Sequence, residues 1–169
     1  MPGPDLRHLG PQDALVAFRS YPRRYGSEFG EIEGDDSLDE LAVRAGPDGV
    51  SALHAVSDVT RTWSLLSGAL TQVLRHDDAV LHPAIADVSL RHWDTPPPGT
   101  VADALTLLGH QAEALADQIS GVLSTDDWNR SATVAGGGSV TALDLVKDAV
   151  GVGADGLTQV RATLAAVRR

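Results

Sequence analysis

Three long stretches of the chain repeat apolar residues every three or four positions, the spacing that keeps them on one face of an α-helix. In the first, Leu53, Val56, Trp63, Leu66, Leu70 and Val73 form the stripe and Ser51 supplies an N-cap, which predicts a helix over residues 51–75. In the second, Thr100 caps a run carrying Val101, Leu105, Leu108, Ala112, Leu115, Ile119 and Val122. In the third, Thr141 opens a helix reaching to about residue 167. Its inward residues are Leu145, Val146, Ala149, Val152, Leu157, Val160, Leu164 and Val167.

The chain between these stretches is less regular. Pro11 opens a helical segment over 12–19, and Pro22 suits the first turn of a second segment through Tyr25 and Phe29. Residues 30–36 read as an acidic, glycine-bearing loop. Leu38 and Leu41 fit one amphipathic turn before the Gly46-Pro47-Asp48-Gly49 turn. Residues 77–98 show no period and end in three prolines, as a long connection with one short element would. The segment 132–140, with Gly136-Gly137-Gly138, reads as a loop or short hairpin. The pattern predicts one all-α domain over 1–169, a four-helix up-and-down-type bundle with a proline-interrupted first helix.

Composition narrows the partners. The net charge is −10, and no basic cluster exceeds Arg23-Arg24 or Arg168-Arg169, so a nucleic-acid backbone would be repelled. No apolar run approaches the roughly 20 residues of a membrane span, and the Met-Pro-Gly-Pro start lacks the regions of a signal peptide. With no cysteine, disulfides, zinc-thiolate sites and a cysteine nucleophile are excluded. The cytoplasm is the default location. Lys147 is the single lysine, and the Ala, Val, Gly and Asp content suits a GC-rich bacterial genome.

Within the third long helix the stretch KDAVGVGADGL holds Gly151, Gly153 and Gly156, each costing a helix about 1 kcal/mol relative to alanine. Asp144, Asp148, Gly151 and Asp155 fall within about 60° of one another on its wheel. A solvated polar stripe with glycines for close packing is the plain explanation of such a face.

Three stretches, SYPRRYGSEF, VSALHAVSDVTRT and SVTALDLVKDAVGVGADGL, resemble the DinB/YfiT-like superfamily. The likeness is to actinobacterial members related to mycothiol-dependent transferases and maleylpyruvate isomerases, and it covers about 15–160. It implies a four-helix bundle, commonly a homodimer. It also implies a divalent metal held by one histidine from the helix over 51–75 and an HxxxH pair on the last helix. Two imidazoles at i and i+4 lie on one face, and a third from a facing helix leaves a coordination position open. Those ligand positions fall on Asp58, Gly151 and Asp155, so none of the three histidines is present. Asp58 and Asp155 alone would give a two-oxygen site suited at most to a weakly held hard cation. No metal or other cofactor is therefore expected.

If the two acids share one pocket, desolvation and repulsion would raise the pKa of at least one and fit the pair for metal-free proton transfer. His54, one turn before Asp58, is the histidine best placed to join them, although such i, i+4 pairs are usually surface contacts. His8, His76, His82, His92 and His110 lack ligand spacing. Trp63, Trp93 and Trp128 read as apolar anchors, and the triple glycine lacks the Lys-Ser/Thr of a P-loop. The leading function is transferase, isomerase or cyclase-type chemistry on a small organic molecule through Asp58, Asp155 and His54. The alternatives are a non-catalytic small-molecule binding protein and a dimeric structural module.

Overall fold

A computed structural model of the chain describes residues 5–30, 38–93 and 96–169. The acidic loop expected over 30–36 lies outside these residues apart from Gly30, the last residue of α1. The described chain is mainly helical: α1 Pro11–Gly30, α2 Leu38–Val43, α3 Ala52–Arg75, α4 Val101–Ser120 and α5 Ala142–Val167. Among the described residues, no helix is long and apolar enough to cross a membrane.

Local chemistry sets where the long helices begin. The side chains of Ser51, Thr100 and Thr141 accept hydrogen bonds from the amides of His54, Asp103 and Asp144. Asp144 returns the bond to the amide of Thr141, closing a capping box at the start of α5. One member of the acidic stripe is thereby a cap.

The first helix departs from the sequence expectation. Instead of two segments separated before Pro22, α1 runs unbroken through the proline. Pro22 lacks an amide hydrogen, so the Phe18 carbonyl loses its i+4 donor, a change that ordinarily breaks or kinks a helix. Tertiary bonds on both sides hold the axis. The Tyr21 hydroxyl donates to the Val150 carbonyl at 2.7 Å, and the Tyr25 hydroxyl donates to the Gly153 carbonyl at 2.7 Å.

Four long helices form the core, with neighbours in the order α1, α4, α3, α5 around the bundle. Successive contacts give their directions. Tyr21 and Tyr25 meet Val150 and Gly153 in turn, so α1 and α5 run together. Trp63 reaches the Ala149 carbonyl while Val59 faces Gly156, so α3 opposes α5. Ser57 and Arg61 lie by Ala104 and Leu107, and Thr71 bonds Gln118, so α3 and α4 run together. A strict up-and-down order would instead alternate direction and set α1 beside α3. Here those two meet across the centre, through the rings of Phe18, Tyr21 and Trp63.

Parallel α3 and α4 oblige the chain to travel back along the bundle, about 36 Å for a helix of 24 residues. The described residues 76–93 and 96–100 lie on this return, with a two-residue strand β1 Val80–Leu81 and short 3-10 turns at Pro83–Ile85 and Val88–Leu90. The single short element expected there is therefore three. β1 pairs in parallel with β2 Ser131–Val134, which turns back antiparallel into β3 Ser139–Thr141. The expected hairpin is thus part of a small three-stranded sheet, an addition to the all-α expectation. Its turn uses Gly136, Gly137 and Gly138 at φ of 92°, 127° and 87°, which side chains rarely adopt.

The glycines of α5 are explained by packing. A Cβ at Gly153 would lie 2.7 Å from ring carbons of Tyr21 and Trp63. One at Gly156 would overlap Val59 and stand 2.6 Å from the Tyr25 hydroxyl. The Trp63 indole also donates to the Ala149 carbonyl at 2.8 Å, so three buried side chains bind the backbone of α5 directly. Glycine lets them approach.

Candidate functional site

Two helix faces with one spacing oppose each other. On α3, Ala55, Asp58, Val59 and Thr62 follow an i, i+3, i+4, i+7 pattern, and on α5 Val152, Asp155, Gly156 and Gln159 follow the same pattern. Between them lies a cavity of about 440 Å³. Val88, Arg91 and Trp93 of the long connection cover one side, and Asp48 and Val50 of the turn before α3 cover another. Asp58 and Asp155 therefore line one cavity.

Asp58 carries the least satisfied group in this wall. Its Oδ1 is buried and has no hydrogen-bond partner. Burial pushes its carboxyl above the usual carboxylate value, opposed by the nearby charges of His54 and Arg61. His54 Nε2 stands 3.6 Å from Oδ1, beyond hydrogen-bond reach, with both side chains more than a third exposed. His54 touches Asp58 from outside the cavity lining.

Asp155 is exposed at the opposite wall, and its charge reaches inward to the Tyr21 and Tyr25 hydroxyls. Asp48 accepts from the Val50 amide at 3.1 Å and from Gln159, and these bonds hold its carboxyl below the usual value.

Arg91 is the cation of the wall, and only 6% of its side chain is exposed. Its Nε donates to the Ala84 carbonyl at 2.8 Å. Its Nη2 donates to the Ile85 carbonyl at 3.1 Å and to Asp148 Oδ2 at 2.8 Å. Arg91 thus pins the connection to α5, and Asp148, a second member of the acidic stripe, is its counter-ion.

Gly151 is not part of the lining. A Cβ there would point at Leu6 Cδ1, 3.0 Å away, so an apolar residue from the start of the chain covers this position. Among the described residues, no three His, Asp or Glu side chains converge closely enough to hold a metal ion. The remaining histidines lie elsewhere. His82 Nδ1 accepts from the Ala84 amide, His76 caps the end of α3, and His8, His92 and His110 are exposed. Trp63 and Trp128 are core residues, whereas Trp93 faces the cavity.

The sequence reading missed Arg91, Trp93, Asp48 and Gln159. The connection has no period to place the first two. Gln159 was findable, one turn beyond Asp155 on the same face. No family model and no curated protein matches the chain.

Proposed function

We propose that the chain is a divergent DinB-like protein that receives a small organic molecule between α3 and α5 without the three-histidine metal centre of that superfamily. The observation carrying this reading is the shared cavity of Asp58 and Asp155, the positions onto which two of the three ligand histidines fall. Its walls are apolar at Val50, Ala55, Val59, Val88 and Val152, with a few polar groups placed among them, the usual make-up of a small-molecule site. Asp58 and Asp155, facing one cavity, are the groups placed to exchange a proton with the ligand in a transferase, isomerase or cyclase-type reaction. His54 tunes Asp58 by its charge.

A second reading is binding without turnover, which suits a His54–Asp58 pair that stands 3.6 Å apart with both side chains more than a third exposed, as an ordinary i, i+4 surface pair does. A homodimer belongs to both readings through the resemblance.

A thermal-shift screen of metabolites against the wild-type chain and Val152→Trp tests the proposal. The larger side chain fills the cavity, so ligands that raise the wild-type melting temperature are expected to leave the variant unmoved. Equal shifts in both proteins contradict a site at this cavity.

A further inference from the structure

We infer that the cavity between α3 and α5 takes a small organic cation, an ammonium or guanidinium group carried on an apolar body. This rests on the reading of that cavity as a ligand site and names the chemistry of its occupant. The charged side chains of the wall are Asp48, Asp58, Asp155 and Arg91. Arg91 is already committed to Asp148 and to the Ala84 and Ile85 carbonyls. Asp48 is likewise engaged by the Val50 amide and Gln159. The charge left to meet a ligand is that of Asp58 and Asp155.

An anionic ligand would enter against that charge. A neutral ligand would leave the Asp58 and Asp155 carboxyls of the wall with neither a charged donor nor a counter-charge. An organic ammonium supplies the donor and the positive charge together. His54 and Arg61 also face Asp58, but neither lines the cavity, and Arg61 Nη2 is bonded to the Pro96 carbonyl in the neighbouring cleft. Trp93 adds an aromatic wall, a surface that attracts cations across its face, and Val59 and Val152 receive the apolar body. A metal ion is a poorer fit than an extended organic cation, because the carboxylates do not converge in threes among the described residues.

The test uses three probes of nearly one shape: benzylammonium, benzyl alcohol and benzoate. Each is titrated into the full ¹⁵N-labelled chain at pH 7, following the amides of Val152, Asp155, Gly156 and Gln159. Benzylammonium is expected to shift these amides and saturate, with benzoate at least about tenfold weaker, as one opposed charge pair implies. Asp58→Asn is expected to weaken benzylammonium about tenfold, and Asp155→Asn, at an exposed position that leaves the fold intact, several-fold. Equal affinity for the alcohol or for benzoate overturns the cation preference but leaves the cavity reading standing. Unchanged benzylammonium affinity in both variants also overturns it. Failure of all three probes to move these amides overturns both.

Discussion

The Tyr25 hydroxyl bonds the Gly153 carbonyl at 2.7 Å and stands where the first side-chain carbon of residue 156 would be. One phenol therefore binds one glycine and requires another. Gly153→Ala and Gly156→Ala must each move a buried ring or Val59, and overpacking of this kind costs about 1–3 kcal/mol even against the helix propensity gained. Gly151→Ala meets only the flexible end of Leu6, so it is expected to be neutral or stabilising by up to about 1 kcal/mol. Urea melts of the three variants check the ordering. A destabilised Gly151→Ala beside unaffected Gly153→Ala and Gly156→Ala would contradict the packing described.

The same burial predicts an alkaline signature. Desolvation pushes the Tyr21 hydroxyl up to about 12 and that of Tyr25 higher still, so both stay protonated in the folded chain at pH 10–11. The sequence contains only these two tyrosines. Folded protein should show almost no tyrosinate absorbance there. Because the folded values exceed the unfolded value, the fold binds more protons and loses stability as pH rises above about 10. Tyrosinate absorbance growing normally while circular dichroism stays native would count against the two hydrogen bonds.

Asp58 behaves in the opposite sense to a stabilising carboxylate. Its folded pKa is raised, so the native state holds the proton more tightly and stability falls as pH rises from the ordinary carboxylate value through the folded one. Asp58→Asn is expected to be more stable than wild type at pH 7, by less than about 1 kcal/mol because the group is part exposed. The advantage should vanish below about pH 3, where both states are protonated. Melts at the two pH values measure it, and a variant less stable at pH 7 than wild type would show that the charge is favourably paired.

What the sequence made legible followed from local chemistry. The caps at Ser51, Thr100 and Thr141 are one-residue signals that act within a turn, and the core stripes need only helical spacing. The continuity of α1 through Pro22 was not legible, because Tyr21 and Tyr25 are held by carbonyls more than 120 residues away. Helix direction was hidden for a related reason: no local pattern distinguishes α3 parallel to α4 from α3 opposed to it. The pairing of Asp58 with Asp155 came from the resemblance. Of the two facing patterns, Val152 reads as an inward residue of the last helix, and the set through Ala55 lies beside the apolar stripe without a signal of its own. Gly153 and Gly156 answer to the close-packing explanation of the glycines in that stretch, and they serve the aromatic contacts of α1 and α3.

The metal expectation is testable in two directions. The purified chain should carry no stoichiometric zinc or nickel by elemental analysis, since the positions aligned with the ligands hold two aspartates and a glycine. Asp58→His, Gly151→His and Asp155→His combined should bind about one zinc, with Leu6 displaced from its place over residue 151. A normally folded triple variant that takes up no zinc would contradict the alignment with the DinB-like ligand positions.

The space between Asp58 and Asp155 is proposed to hold a small organic molecule without help from a metal. Equilibrium dialysis of chelator-treated protein against a bacterial metabolite extract, read by mass spectrometry, tests it most directly. A discrete molecule should be retained by the wild-type chain and lost from Val152→Trp. Retention by both proteins, or by neither, would contradict it.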